Sequence, residues 1–346
     1  MNRRPEASAT VEAFERLVLR PFTDGRALRE AALAMLRRTV GFDWYAWILT
    51  DPVTEVGTDP LAEVPDPSEI PRLVRLKYLT AVNRWTTLDT VSLLGDQRSD
   101  SQLWRDVQSR HGVRDVVSVV LRDQFGCWAF LDLWSRHVYD RDALDLLRGL
   151  APVLAAALRR SAAATFAIVV DAPSTHEGAA VLLFDDDLEL LGRTPTSKEW
   201  LAQLLPTDPG RDPVPAAALN VAALLLARDS GVDLHPPEAR VHLRGGLWVT
   251  LKAARVPPSP LIAVTMEASN PAERLDLYLR SHALSPRERE LVTLLAQGHP
   301  TKEVAIRMFL SEHTVQDHVK SIFAKTNTHN RRTLLAHALG VKSDGP

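Results

Sequence analysis

The C-terminal segment, residues 284–343, carries helix-start signals at short intervals, and these signals constrain the fold more than any other feature of the chain. In LSPREREL, Ser285 is a candidate N-cap, Pro286 suits the first helical position and Glu288 completes a capping box. Further caps and helix stops follow at Gly298, Thr301, Ser311, Asn327 and Asn330. Since an apolar pattern follows each cap, the segment is predicted to form four short helices.

The third of these helices, SEHTVQDHVKSIFAK at residues 311–325, has one apolar and one polar side. Its apolar stripe has the spacing i, i+4, i+7, i+8 and consists of Val315, Val319, Ile322 and Phe323. The residues predicted to point away from the core are His313, Asp317, Lys320, Ser321 and Ala324, with Gln316 and His318 on the two flanks. A polar helix after a tight turn is typical of a helix-turn-helix that enters the DNA major groove. A small helical bundle with a solvated side is the alternative interpretation.

The charge distribution favours a nucleic-acid partner for this segment. Residues 281–343 hold nine Lys/Arg and five Asp/Glu, a net charge of +4, whereas the whole chain has a net charge of −2. Because phosphate neutralisation supplies most non-specific DNA affinity, a basic module on an acidic body suits DNA binding. Chance clustering of charge on a solvated surface is the alternative.

The motifs LSPREREL, AQG, TKEVA and LSEHTVQDHVKSIFAKT resemble the DNA-binding domain of LuxR-type (LuxR/FixJ/GerE) transcriptional regulators, over roughly residues 284–340. The resemblance implies that the helix beginning at Ser311 enters the major groove and that Lys302 and Arg331 contact the DNA backbone. The residues expected to face DNA are Lys302, Thr314, Gln316, Asp317, His318, Lys320, Ser321 and Arg331. The resemblance to LuxR-type regulators also implies homodimers on two-fold DNA sites, often paired through Leu334, Leu335 and Ala338 of the fourth helix. The departures from the family pattern are Pro300, Gln316, Asn327 and Thr328.

Asp317 is the unexpected member of this set, because a carboxylate repels the phosphate backbone. At the centre of the outward side it would approach base edges before phosphates, and a carboxylate accepts a hydrogen bond from cytosine N4. Gln316 suits adenine, and Lys320 suits guanine or a phosphate. Asp317 is therefore predicted to contribute specificity rather than affinity.

Residues 10–162 are predicted to form a mixed helix and strand domain. The helical patterns VEAFERLVLRPF and REAALAMLRRTV precede an aromatic strand, GFDWYAWILTD. Two more strands, VVSVVLRD and GCWAFLDLWSR, flank the turn RDQFG, and the helix DRDALDLLRGLAPVLAAALRR closes the segment. The segment is similar to GAF-type sensor domains.

The aromatic strand is apolar on both sides, so both sides must be covered. Helices can cover one side, and the other needs loops, a partner or a ligand pocket lined by aromatic residues. The residues predicted to line such a pocket are Tyr45, Trp47, Tyr78, Trp85 and Trp128. An ordinary core is the alternative, and no polar constellation identifies a ligand.

Residues 165–268 show a second pattern, with a weaker similarity to PAS-like domains. GAAVLLFDDDLELLGRT is predicted as strand–turn–strand, followed by helices around WLAQLL and PAAALNVAALLLAR. Three strands come next, in ARVHLRG, LWVTLKAAR and LIAVTMEAS. The triplet Asp185-Asp186-Asp187 suggests a phosphorylation receiver, but no suitable Asp follows a later strand, so a solvated hairpin turn is favoured. Residues 269–283 are predicted to form a helical connector.

The predicted fold class is thus α+β multidomain: a GAF-like sensor domain, a smaller PAS-like domain and an all-α four-helix C-terminal domain. The expected function is a cytoplasmic, homodimeric, sequence-specific transcription regulator that senses a small ligand or protein partner. No catalytic residue, cofactor, metal site or membrane partner is expected. His111, Asp132, His137 and Asp140 form no acid–base set, and the single Cys127 excludes a Cys-based zinc cluster. The alternatives are a GAF-like enzyme and an interaction protein, each with an accessory DNA-binding tail.

Overall fold

The chain divides into two compact units. The computed structural model describes residues 4–20, 24–167, 178–197, 200, 216–243 and 247–340. The first unit comprises Met1–Leu158, Ser174–Leu243 and Val249–Glu267. The second comprises Arg159–Pro173, Arg244–Trp248 and Ala268–Pro346. Both predicted N-terminal segments therefore contribute to the first unit, and two short stretches of them belong with the C-terminal helices.

The first unit contains a five-stranded antiparallel sheet with the strand order β2-β1-β5-β4-β3. Its strands are β1 (Trp44–Thr50), β2 (Gly57–Glu63), β3 (Val91–Leu93), β4 (Asp115–Asp123) and β5 (Gly126–Ser135). Its helices are α1 (Arg4–Val18), α2 (Gly25–Thr39), α3 (Ile70–Leu79), α4 (Gln102–Asp106) and α5 (Arg141–Ala164). The aromatic strand, the β4–β5 hairpin and the closing helix are confirmed. Strand β2 was not predicted from the sequence.

A second five-stranded sheet in the same unit has the order β7-β6-β10-β9-β8. Its strands are β6 (Ala180–Phe184), β7 (Leu190–Arg193), β8 (Glu238–His242), β9 (Trp248–Arg255) and β10 (Ile262–Ala268). When the strands are numbered from one to five within each sheet, the two sheets have the same strand order. The hairpin turn at Asp185 is confirmed, because its carboxylate accepts hydrogen bonds from the backbone N–H groups of Asp187 and Glu189. The predicted helix around WLAQLL lies outside the described residues, apart from Trp200.

Helix α6 (Ala216–Asp229) is buried on all sides, as its apolar sequence predicts. It packs against α3, β2 and β8. The helix approaches β2 so closely that a Cβ at Gly57 would lie 2.8 Å from Asn220 Oδ1. Within the described ranges, no helix is both long and apolar enough to cross a lipid bilayer.

A buried ion pair connects the two sheets. The Asp51 carboxylate, at the end of β1, accepts hydrogen bonds from Arg240 Nε at 2.7 Å and Arg240 Nη2 at 2.8 Å. Because each carboxylate oxygen of Asp51 accepts one of these bonds, the pair fixes the orientation of the Arg240 guanidinium group as well as its distance. A second hydrogen bond joins the same two segments of the chain: Thr86 Oγ1 donates to Asp233 Oδ2 at 2.5 Å. These contacts explain why both sheets belong to one unit.

The second unit is helical. Its elements are α7 (Pro271–Ser281), α8 (Pro286–Ala296), α9 (Thr301–Met308), α10 (Glu312–Thr326) and α11 (Arg331–Leu339). Helix α7 is the predicted connector and starts with a capping box between Asn270 and Glu273. Helices α8 to α11 are the four predicted C-terminal helices. One hydrophobic core includes residues from all five helices, among them Leu279, Leu291, Val304, Val315 and Leu334.

Candidate nucleic-acid interface

Three of the four predicted N-caps of the C-terminal helices are confirmed. Ser285, Ser311 and Asn330 each accept a hydrogen bond from a backbone N–H in the first turn of the helix that follows. The prediction for Thr301 was wrong: Pro300 is the cap residue, Thr301 is the first helical residue, and no side chain caps α9. Asn327 ends α10 in the left-handed conformation, as predicted.

The core side of α10 follows the predicted stripe. Val315 and Ile322 are fully buried, and Val319 and Phe323 are partly buried against the same core. This packing leaves His313, Gln316, Asp317, Lys320 and Ala324 exposed on the other side. These five residues are called the polar face of α10 below. They combine hydrogen-bond donors and acceptors with no bulky apolar side chain, which is what base-edge contacts require.

Asp317 is the centre of a small charge network on the polar face. Lys320 Nζ lies 3.2 Å from Asp317 Oδ1, and His313 Nε2 lies 3.6 Å from Asp317 Oδ2. The three side chains retain 74 %, 82 % and 56 % exposure for Lys320, His313 and Asp317. At such exposure the pair adds little stability, so all three groups remain available to a ligand.

Glu288 connects the first of these helices to α10. Its carboxylate accepts hydrogen bonds from Ser321 Oγ at 2.7 Å, Lys325 Nζ at 2.7 Å and the Ser285 backbone N–H at 2.6 Å. Burial alone would raise the pKa of Glu288, but these hydrogen bonds outweigh it and lower the pKa to about 2. The capping box identified Glu288 as a cap, but nothing in the sequence indicated that it holds α10.

This arrangement corrects the prediction for Ser321. Its hydroxyl is half-buried and donates to Glu288, so it does not point away from the core with the polar face. The remaining predicted DNA-facing residues of α10 are Thr314 and His318, and both are half-buried. Thr314 lies in the first turn, where its Oγ1 is 2.8 Å from the cap hydroxyl of Ser311.

The two cations expected to contact the DNA backbone differ in their surroundings. Lys302 is exposed in the first turn of α9. Arg331 is half-buried, and its Nη2 donates to the Leu295 carbonyl oxygen at 2.9 Å. Arg331 therefore stabilises the C-terminal end of α8.

The fourth helix is covered inside the protomer. Leu334 and Ala338 are fully buried in the core of the second unit, and Leu335 is partly buried against it. Helix α11 packs against α7, α8 and residues 165–167. Leu334 and Ala338 thus have no surface for a second copy in this conformation, which corrects the expectation that they pair two protomers.

The turn of the helix-turn-helix exposes an aromatic side chain that was not predicted from the sequence. Phe309 adopts the left-handed conformation with φ 57° and is 95 % exposed, and Ile306 one turn earlier is also exposed. Left-handed positions favour Gly or Asn, so the sequence carries no signal for the conformation of Phe309.

The five aromatic residues predicted to line a ligand pocket do not share one wall. Trp47 pairs with Leu131 in the sheet register, whereas Trp85 stacks on Phe130 at 5.0 Å between ring centroids. Because neighbouring residues of a strand face opposite sides, the sheet separates Tyr45 and Trp47 from Trp85 and Tyr78. Trp47, Tyr78, Trp85 and Trp128 are all buried.

The side of the sheet that holds Trp85 is filled by a buried polar cluster. Lys77 Nζ lies 2.9 Å from Asp132 Oδ2 and donates to Ser118 Oγ at 3.1 Å. Trp85 Nε1 donates to Asp132 Oδ1 at 2.8 Å. Each polar group of the cluster thus has a partner in the protein, as burial requires. No group of His, Cys, Asp and Glu within the described part of the chain could hold a metal ion.

Comparison with known proteins agrees with the geometry of the C-terminal helices. Residues 282–338 match the family model described as bacterial regulatory proteins, luxR family. The C-terminal region is a LuxR-family helix-turn-helix domain. The LuxR-family match covers α8 to α10 and nearly all of α11, and leaves both sheets of the first unit without a family assignment.

Relatives of this LuxR-family domain are regulators by name. The probable HTH-type transcriptional regulator GfsR of Streptomyces halstedii is 42 % identical over 60 residues, which is 17 % of this chain and 25 % of GfsR. The nitrate/nitrite response regulator protein NarL of Escherichia coli K12 is 34 % identical over 73 residues, 21 % of this chain and 32 % of NarL. The match therefore spans only a quarter to a third of these relatives. The crystal structure of Escherichia coli SdiA aligns over 96 % of this chain and 98 % of its own, at 13 % identity and a TM-score of 0.31.

Proposed function

We propose that the chain is a sequence-specific DNA-binding transcription regulator. The observation that carries the proposal is the polar face of α10, which projects from a LuxR-family domain with Val315 and Ile322 of the same helix buried behind it. A helix held in this way presents base-edge donors and acceptors without an apolar surface that would favour a protein partner. Exposed Lys302 and Lys320 supply the phosphate affinity.

The N-terminal segments are proposed to sense a small ligand or a protein partner. We assign residues 10–162 to a GAF-like domain, 165–268 to a PAS-like domain, 269–283 to the connector and 284–343 to the DNA-binding domain. The proposal is supported by two antiparallel five-stranded sheets of the same strand order, one inside each assigned range.

A homodimer on a two-fold site, in the cytoplasm where bacterial DNA lies, completes the proposal. Two-fold sites match the symmetry of dimeric helix-turn-helix proteins. Because Leu334 and Ala338 are buried, the contact between protomers uses other residues or a rearranged α11.

Selection of DNA duplexes from a random library by the full-length protein tests this function. We expect an enriched sequence, and a variant with Gln316→Ala and Lys320→Ala should lose that preference. Arg307→Ala is the matched control, since Arg307 is exposed on α9 and is paired with Glu303. If no sequence is enriched by the wild-type protein, the proposal fails and the interaction-protein alternative gains.

Native mass spectrometry of the purified protein tests the sensing and dimer parts separately. A dimer mass with a retained small molecule supports both, and a bare monomer over the micromolar range contradicts both.

The enzyme alternative has little support in the geometry of its candidate residues. His111 Nε2 lies 3.2 Å from Glu69, and Asp132 is bonded to Lys77 and Trp85, so these groups are engaged in the fold.

A further inference from the structure

The hydrophobic core of the second unit includes two aromatic residues from the sensor segments, outside the LuxR-family match. Phe166 follows helix α5 and is completely buried, and Trp248 is the first residue of β9 and is nearly buried. Both belong to the core cluster that also contains Leu291, Val315 and Leu334 of the DNA-binding helices. The family domain therefore buries part of its apolar surface against residues from the sensor segments.

These residues form an aromatic cluster with the connector helix. Phe166 stacks on Trp248 with ring centroids 5.1 Å apart and an interplanar angle of 19°. The ring of Tyr278, on α7, meets Phe166 edge-on at 5.3 Å and 86°. Both are favourable aromatic geometries, so displacing Phe166 removes contacts from the other two rings. Phe166, Trp248 and Tyr278 together form the aromatic cluster of the second unit.

Arg274 connects this cluster to the last helix of the DNA-binding domain. Its guanidinium carbon lies 5.0 Å from the centre of the Phe166 ring. Its Nε and Nη2 donate to the carbonyl oxygen of His337, on α11, at 3.3 and 3.2 Å. Gly340 ends α11 in the left-handed conformation at φ 71°, and a Cβ there would lie 2.8 Å from Arg274 Nε. Arg274 therefore packs so closely against the end of α11 that a side chain at Gly340 would collide with it.

We propose that the cluster of Phe166, Trp248 and Tyr278, with Arg274, is the element that couples the sensor segments to DNA binding. Phe166 and Trp248 are attached by the chain to α5 and β9, so a change in α5 displaces the ring that packs on Tyr278 of α7, and a change in β9 displaces the ring that stacks on Phe166. Through Arg274 the displacement reaches α11 and the core behind α10. Coupling is reciprocal, so DNA bound at α10 must also change the surroundings of Trp248. The inference rests on the proposed DNA-binding function.

The reciprocal effect provides the test, because it needs no knowledge of the sensed ligand. The full-length protein is labelled with 5-fluorotryptophan and titrated with the duplex that it selects from a random library. The fluorine resonances of Trp248 and Trp47 are assigned by their loss in Trp248→Phe and Trp47→Phe. We expect the Trp248 resonance to shift on DNA binding and that of Trp47, buried in the first sheet, to stay in place.

Two variants separate coupling from packing. In Phe166→Ala the DNA-induced shift at Trp248 should disappear and the DNA dissociation constant should change between about twofold and thirtyfold. Arg274→Lys is the second variant and serves if Phe166→Ala does not fold. It retains the positive charge but loses the two hydrogen bonds to the His337 carbonyl oxygen, and it should reduce the DNA-induced shift of the Trp248 resonance. Selected DNA that binds without moving the Trp248 resonance, with both variants binding as the wild type does, overturns the coupling and leaves the proposed function intact. If no duplex is selected, both proposals fall.

Discussion

Lys320 Nζ lies 3.2 Å from the Asp317 carboxylate, one turn away on the exposed side of α10. The acidic residue in the middle of this helix is therefore paired before DNA arrives. Phosphates must compete with Asp317 for Lys320, and the carboxylate also repels them directly. Both effects are expected to lower the affinity for DNA of any sequence, and a base that donates to Asp317 is expected to recover part of the loss.

Asp317→Ala is expected to raise affinity for DNA of random sequence and to reduce the preference for the selected site by about 1–3 kcal/mol. Fluorescence anisotropy with the selected duplex and a scrambled duplex, at one salt concentration, measures both effects. Glu290→Ala is the control, because it removes the same charge from the exposed side of α8, away from the polar face. Equal weakening on both duplexes would show that Asp317 only stabilises the helix.

Lys302→Ala is expected to weaken binding to all sequences alike. Lys302 is exposed in the first turn of α9, where we expect a cation to contact the DNA backbone rather than a base. Loss of one phosphate contact should reduce the slope of log affinity against log salt by about 1. Titrations at four salt concentrations measure the slope. A change in base preference with an unchanged slope would contradict this role.

The helix caps and apolar patterns of the DNA-binding domain were largely predictable from the sequence, whereas its internal connections were not. Caps and the stripe of α10 depend on neighbours within four residues, so Ser311 and Val315 were placed correctly. Ser321 was misplaced because its partner, Glu288, is 33 residues away in the chain. Contacts of that kind follow from tertiary packing and leave no local pattern.

Glu288→Gln tests the connection between α8 and α10. The native pKa of Glu288 is below its ordinary value of 4.5, so its stabilising effect is complete above pH 4.5 and is lost as pH falls towards 2. A shift of this size corresponds to roughly 3 kcal/mol. Thermal unfolding of the full-length protein at pH 7 and pH 3.5 should show a less stable variant at pH 7 and a smaller difference at pH 3.5. Glu290→Gln, on the exposed side of α8, should unfold as the wild type does at both pH values.

The first sheet shows a second limit of sequence patterns. Strand β2 was missed because GTDPLAE contains Pro60 and lacks apolar alternation. The structure tolerates Pro60 because β2 is an edge strand, where a missing N–H costs little. The aromatic strand was identified correctly, but only the register shows that Trp47 and Trp85 lie on opposite sides of the sheet.

The pair of Lys77 and Asp132 gives the final prediction. Both side chains are buried, and the Nζ–Oδ2 distance is 2.9 Å. Burial lowers the pKa of Lys77, and the adjacent carboxylate of Asp132 opposes that effect. Asp132→Leu alone leaves an unpaired buried ammonium group and is expected to cost about 3–5 kcal/mol of unfolding free energy.

The double variant Lys77→Met with Asp132→Leu should recover most of that loss, because two apolar side chains of similar volume need no counter-charge. Urea denaturation followed by circular dichroism measures all three free energies. Arg26→Ala is the control, since its ion pair with Glu30 is exposed and its loss should cost less than about 1 kcal/mol. A double variant no more stable than Asp132→Leu would instead indicate that the bonds of Asp132 to Trp85 and of Lys77 to Ser118 hold this side of the sheet together.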